Sequence, residues 1–557
     1  MHITGRRPRT TVATALAVAT VSASLLLGSP GVAASPAAGP AAPPGGDSAP
    51  LTVRTDAGAV RGSLTPAGHR LFRGVPYAGP PEGEHRWAAP RPVAPWKGVR
   101  DATELGPLCP QVPSAYAPIA SEEEDCLVLN VTAPRTVRPG HRAPVLVWIH
   151  GDGSVGGGAF FDGRRFADRG VVVVTVNYRL GVFGGLALPG LEGSGTFGLQ
   201  DQQAALRWVR RNAAAFGGDP RNVTVAGSSF GAAAITGHLT SPAARDLFDR
   251  VALSSGEGMM DMPAGAMGPE VPGYAWFVWR TGREMEDVTA EMTRPLGCAS
   301  PEVARTLRCL RGLPVKRILA VPYIMNAFQS FGHGNRTLPE LPPRALAEGR
   351  FHRVPVLSGA TLDEHRTFVG MRYDAVNRPF TEDDYDQALV RAFGTRLAGV
   401  VEAAYPLKDF PSPALAWSTV VTDRMWARGT HAQHTALGRH VPVYAFEFAD
   451  RDAPMYLPLP GRFDFGAFHA GDTPYLFEDE EALRRFTPAQ KRLSDTMTDF
   501  WAGFARTGTP NAPGLPAWAP YRPGAPVPYT QSLAPDAVGP VDYAREHRLG
   551  FWYHRAR

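Results

Sequence analysis

The sequence predicts an α/β protein built on one large, mostly parallel sheet flanked by helices. Continuous β-branched runs stand at 145–149 (VLVWI) and 171–176 (VVVVTV), with a shorter one at 223–226 (VTVA). Apolar runs without alternation suit strands covered on both faces, as helices cover a parallel sheet. Between the second and third runs, residues 201–216 (DQQAALRWVRRNAAAF) place apolar side chains at helical spacing, and Gly217-Gly218 supplies a stop. Strand, helix and strand in that order form the βαβ unit of doubly wound folds.

Of the 557 residues, 44% are hydrophobic and 20% charged, an ordinary globular balance. The net charge of +5 is small for this length, and basic residues alternate with acidic ones beyond the N-terminus. Such a weak field gives no case for a nucleic-acid partner. At the N-terminus, Arg6, Arg7 and Arg9 precede an apolar stretch from about Val12 to Leu27, and small residues follow at Val32, Ala33 and Ala34. That pattern predicts an export signal over residues 1–34, followed by a Pro/Ala/Gly-rich linker over 35–50. The apolar run is short for a membrane span, so no stable span is expected after cleavage. The expected location is extracellular. Residues 51–557 show no repeat and no second low-complexity tract, and they read as one large domain acting as a monomer or weak oligomer.

Four cysteines occur, Cys109, Cys126, Cys298 and Cys309. In an oxidising compartment their even number and two-by-two grouping favour the local bridges Cys109–Cys126 and Cys298–Cys309. Neither group has CxxC spacing or a histidine beside it, so no metal site is expected.

The sharpest local signal is Gly227-Ser228-Ser229-Phe230-Gly231, directly after the VTVA run and before the small residues 232–235. This is G-x-S-x-G in the strand–turn–helix context the motif requires. A turn this tight leaves no room for side chains at its flanking positions, and the serine hydroxyl stands clear of the sheet. The following helix then directs its N-terminal amides at a developing oxyanion. A serine at its ordinary pKa needs a base, and the base needs an orienting acid. In chain order the acid comes before the histidine. Downstream, 354–359 (VPVLSG) reads as a strand leading into Asp363-Glu364, and His469 lies in a loop bounded by Gly466 and Gly471. Spacing alone chooses neither Glu364 over Asp363 nor His469 over the other histidines.

Motifs in order along the chain carry a family resemblance. These are 72–81 (FRGVPYAGPP), 124–130 (EDCLVLN), 177–181 (NYRLG), 216–220 (FGGDP), 247–256 (LFDRVALSSG), Asp363-Glu364, the histidine loop, and 500–511 (FWAGFARTGTPN). Together they resemble the type-B carboxylesterases, the family of para-nitrobenzyl esterases, animal carboxylesterases and cholinesterases. The resemblance runs from about residue 51 to the C-terminus. It implies an α/β-hydrolase fold and a serine esterase in which Ser229 is the nucleophile, His469 the base and Glu364 the acid. It also implies the cysteine pairing given above, a small-molecule ester as substrate, and no cofactor.

The chain departs from its family around the expected oxyanion hole. The family reads H-G-G-G-F where this sequence has His150-Gly151-Asp152-Gly153-Ser154. Backbone donors are expected at Asp152, Gly153 and Phe230. A carboxylate beside a forming oxyanion is repulsive unless it turns away to an arginine or to solvent, and losing one donor costs about 10²–10³ in rate. Ser228 stands where the family commonly has glutamate, and Asp152 is expected to replace the missing charge. Phe230 replaces the usual alanine and predicts a bulkier wall beside Ser229. The 109–126 loop contains Tyr116 as its sole aromatic and no tryptophan, which disfavours choline esters. The aromatic run 274–279 (YAWFVW) suits either a substrate pocket or ordinary packing. Two other functions share the scaffold: a non-catalytic cholinesterase-like binding protein and an extracellular lipase with an exposed apolar lid.

Overall fold

A computed structural model describes residues 50–114, 117–459 and 463–554. The expected export signal, the linker up to residue 49, and Tyr116 lie outside the described residues. Among the described residues the main sheet has eleven strands. In chain order they are β1 (Ser63–Leu64), β2 (Arg70–Pro76), β3 (Val128–Ala133), β4 (Ala143–Ile149), β5 (Val172–Val176), β6 (Gly218–Ser228), β7 (Arg250–Ser254), β8 (Val356–Thr361), β9 (Val443–Phe448), β10 (Thr530–Leu533) and β11 (Gly539–Val541). Across the sheet they run β1-β2-β3-β5-β4-β6-β7-β8-β9-β10-β11. Every pairing from β5 to β10 is parallel. The pairings outside that block are antiparallel. The sheet is therefore mixed, with a parallel centre where the apolar runs lie and antiparallel pairings towards both edges.

The unalternating runs are buried on both faces, as their composition requires: every residue of β4 and β5 is buried. Val145, Val147 and Ile149 belong to one core cluster, with Leu206 and Val209 of helix α1 (Phe197–Asn212). The alternate residues Leu146 and Trp148 belong to another, with Met497, Phe500, Trp501 and Phe504 of a later helix, Pro488–Thr507. Adjacent β-carbons point to opposite faces of a strand, so one apolar run serves both layers. Helix α1 begins four residues before the predicted start and passes into a 3-10 turn over Ala213–Phe216. It ends on Gly217 at φ 90°, a left-handed cap that glycine adopts without a steric penalty. Because β4 lies between β5 and β6, the α1 crossover steps over one strand.

Helix α2 (Phe230–Thr240) follows β6 directly, and its residues from Gly231 to Leu239 are buried. Both cysteine pairs are bonded as expected, with Cα separations of 4.9 Å for Cys109–Cys126 and 5.4 Å for Cys298–Cys309. Loops this short contribute about 2–4 kcal/mol each in the chain-entropy picture. Among the described residues no helix is long and apolar enough to cross a membrane.

Candidate active site

The site lies beyond the carboxyl ends of the parallel strands, where ligands bind in open α/β sheets. Ser229 occupies the sharp turn between β6 and α2 at φ 56°, ψ −125°. A side chain at such angles costs on the order of 1–3 kcal/mol and persists because its surroundings impose it. The surroundings do so by contact. A β-carbon on Gly231 would lie 2.1 Å from the Ile149 carbonyl oxygen, and one on Gly227 would lie 2.7 Å from it. One on Gly256, from the neighbouring strand end, would lie 1.9 Å from the Ser229 carbonyl oxygen. The Ser229 amide donates to the Ser254 carbonyl at 2.8 Å, tying the turn to β7.

Glu364 and His469 arrive from two other strand ends, after β8 and β9. The Ser229 hydroxyl donates to His469 Nε2 at 2.9 Å, and His469 Nδ1–H donates to Glu364 Oε2 at 2.5 Å. The second Glu364 oxygen accepts the Thr361 amide at 2.7 Å, which fixes the carboxylate on its own turn. Glu364 is completely buried and His469 almost so. Asp363, which spacing could not separate from Glu364, points elsewhere. Its Oδ2 accepts the Ala467 amide at 3.0 Å, and its own amide donates to the Ala467 carbonyl at 2.9 Å. Arg366 and Arg451 pair with the same carboxylate at 3.0 and 2.9 Å. Thus one acid meets the histidine ring and its neighbour fastens the histidine's loop.

Sequence reading missed several groups around this chain. Phe368 and Trp426 flank the His469 ring, with centroids 5.1 and 5.0 Å away. The Trp426 indole N–H donates to His365 Nδ1 at 3.3 Å, while His365 Nε2–H donates to the Ala266 carbonyl at 2.9 Å. Burial holds the His365 pKa down at about 4, so this imidazole is neutral. Two further acids lie in the charge field of Glu364. Burial, then the Glu364 charge, lifts Asp472 to about 6, and the same two causes push Glu257 well above the usual carboxylate range. Asp472 falls three residues after His469, the one signal in the sequence that could have found it. Ser228 is buried and its hydroxyl has no hydrogen-bond partner among the described residues.

The loop after β4 abuts the serine turn. A β-carbon on Gly151 would lie 2.9 Å from Ser229 Cβ. The Asp152 side chain is half-buried and pairs with no arginine among the described residues. Its Oδ1 accepts the Ser154 amide and hydroxyl at 2.9 and 2.5 Å, and Gln329 Nε2 at 3.0 Å. Burial raises its pKa, and the Ser154 bonds work against that rise. The Gly153 amide donates to the Gly151 carbonyl at 2.9 Å, whereas the Phe230 amide stands in the first turn of α2, which no intrahelical carbonyl satisfies. The Phe230 ring stacks on Phe331 at 4.4 Å and presses on Gly153, where a β-carbon would meet it at 2.6 Å. Trp279 lies behind Phe331 at 5.5 Å, and Val278 and Trp279 are buried, so the end of the 274–279 run packs behind this wall.

A sharp serine turn, a buried imidazole–carboxylate pair and a mixed eleven-stranded sheet define the α/β-hydrolase class. Within that class, the model of the carboxylesterase family matches residues 49–552, and the chain belongs to this family. It is 34% identical to a para-nitrobenzyl esterase of Bacillus subtilis (strain 168) over 492 residues, covering 84% of this chain and 92% of the relative. It is 32% identical to an acetylcholinesterase of Bungarus fasciatus over 557 aligned residues, covering 90% of this chain and 86% of the relative. A solved para-nitrobenzyl (PNB) esterase structure superposes with a TM-score of 0.71 at 31% identity, covering 90% of this chain and 99% of that one. The protein is a carboxylic ester hydrolase.

Proposed function

We propose that the protein is an exported serine carboxylesterase that hydrolyses small to medium esters through Ser229, His469 and Glu364. The observation that supports this most is the buried relay from the Ser229 hydroxyl through His469 to Glu364, at 2.9 and 2.5 Å. In this reading Ser229 Oγ attacks the ester carbonyl carbon while its proton passes to His469 Nε2. Glu364 holds the Nδ1–H tautomer and stabilises the imidazolium. The tetrahedral intermediate collapses with cleavage of the carbonyl-carbon–alkoxide bond, and the alcohol leaves with the proton from His469. Water then attacks the acyl-serine, gives a proton to His469, and the acid is released as that proton returns to Ser229. The amides of Asp152 and Phe230 receive the oxyanion, while the Gly153 amide, also expected as a donor, is taken up by the Gly151 carbonyl. Among the described residues no group of side chains could hold a metal ion, and none of these steps calls for one.

A phenylalanine at 230 in place of the family's alanine, packed against Phe331, supports short acyl groups. The tryptophan-free 109–126 loop gives no support for choline esters. Export rests on the basic and apolar leader and is in keeping with two disulfides. The test is hydrolysis of para-nitrophenyl acetate, butyrate and palmitate by the wild type and by Ser229→Ala. Turnover highest on the short esters and reduced about 10⁴–10⁶-fold by the substitution is expected. Turnover independent of Ser229 would sink the reading, and a sharp rise on emulsified palmitate would replace it with a lipase.

A further inference from the structure

We propose that Asp152 and Gln329 are positioning residues that shape the oxyanion loop, and that Asp152 acts as a hydrogen-bond acceptor rather than as a charge. The inference rests on the serine-esterase reading above. Asp152 is the central residue of a tight turn at φ 65°, closed by the bond from the Gly153 amide to the Gly151 carbonyl. A residue with a β-carbon is strained at that angle, and the turn persists only if something holds it. The hold is the residue's own carboxylate. Oδ1 gathers the Ser154 amide and hydroxyl, and the Val155 amide at 3.3 Å, so that it clasps the chain it belongs to.

Gln329 secures the same turn from outside. Its Nε2 donates to the Asp152 carbonyl at 2.7 Å and to Asp152 Oδ1 at 3.0 Å, gripping main chain and side chain with one amide. Asn326, three residues earlier, donates to the Ser154 hydroxyl at 3.3 Å. Two residues beyond Gln329, Phe331 stacks on Phe230, whose amide is the other proposed donor. One short segment, 326–331, therefore braces both sides of the oxyanion hole. A change in the turn would redirect the Asp152 N–H, and donors act only when aimed at the developing charge. Oδ1 is the acceptor in each of these side-chain hydrogen bonds, and asparagine offers the same atom.

Steady-state kinetics on para-nitrophenyl butyrate, inhibition by an aryl trifluoromethyl ketone, and melting temperatures test the assignment. Asp152→Ala is expected to lower kcat about 10²-fold with KM changed less than about threefold, and to weaken the ketone, which mimics the tetrahedral adduct, in parallel. Asp152→Asn is expected to stay within about threefold of wild type. Gln329→Ala, which leaves the carboxylate clasp in place, is expected to lose about tenfold in kcat and in ketone affinity. The proposal is overturned if Asp152→Asn falls as far as Asp152→Ala, or if Asn raises kcat more than tenfold, which would make the charge the active element. It is also overturned if both Asp152→Ala and Gln329→Ala keep wild-type kcat. If Asp152→Ala does not fold, Asp152→Asn and Gln329→Ala decide the question. Failure of the underlying reading is separate, because it would show as turnover that survives Ser229→Ala.

Discussion

The serine turn and the histidine loop bring two halves of one relay together by opposite means. The turn is local: Ser229 is fixed by glycines two residues away on either side and by the end of the adjacent strand, within contacts that β6, α2 and β7 make as they pack. The loop over 466–472 makes short-range bonds of its own, from Phe468 to Gly466 and from Gly471 to Phe468, but owes its position to residues far away in the chain. It is held by Asp363, whose backbone and carboxylate both bind Ala467, by Glu364 on the ring, and by Phe368 and Trp426 on the ring's faces. Its residues come into register only when β8 and β9 are paired. The nucleophile is thus preorganised by steric exclusion, and the base by a set of long-range bonds. Damage to the loop should therefore be graded, and its parts separable.

The largest graded effect is expected at the ring. Glu364→Gln keeps the shape of the side chain, removes the charge that stabilises the imidazolium, and allows the wrong tautomer. A fall in kcat of about 10³–10⁴ is expected with the melting temperature little changed, measured on the same short ester. A fall below tenfold would mean that the loop needs no acid. Next comes the fastener. Asp363→Asn weakens the ties to Arg366 and Arg451 but leaves an acceptor for the Ala467 amide, so the loop loosens rather than detaches. About a tenfold loss of kcat is expected, since small misplacements of a reacting group are costly, with a stability loss of about 1–3 kcal/mol. A loss as deep as that of Glu364→Gln would show that loop position, and not imidazole orientation, controls the rate.

The same contrast explains what the sequence disclosed. The serine turn was legible because its chemistry is contiguous: five residues carry the motif, and the apolar run before it identifies the strand. The parallel centre of the sheet was legible for the same reason, through runs such as 145–149. The edge strands were not, since β1, β10 and β11 have two to four residues each and no apolar run to mark them. Asp363 and Glu364 were inseparable by spacing because their division of labour depends on which way two adjacent side chains point once β8 is placed. Gln329 carried no signal. It meets Asp152 across 177 residues of sequence, from a segment without a motif. Asp152 was visible as a departure, but reading it towards an arginine or solvent overlooked the Ser154 and Val155 donors two and three residues on.

The smallest effect on catalysis is expected at another buried histidine bonded to carboxylates, which makes the loop's case sharper by lacking a serine. His547 Nδ1 bonds Asp423 at 2.7 Å and Nε2 bonds Glu447 of β9 at 2.6 Å, joining the C-terminal helical segment to the sheet. Burial works against its charge, yet the two carboxylates outweigh it and lift the pKa from 6.5 to about 10. A folded-state pKa above the unfolded one means stability that is fully present below about pH 6.5 and is lost as pH rises towards 10. The wild type should therefore melt at progressively lower temperature between pH 7 and 10. His547→Gln leaves two buried carboxylates without their cation, which costs about 3–5 kcal/mol, and it should flatten that slope while kcat per folded molecule stays near wild type at pH 7. An unchanged slope would place the titration elsewhere. A collapse of kcat in the folded variant would mean that this histidine link and the catalytic one are mechanically a single network, and that the loop's ties extend through β9 to the C-terminus.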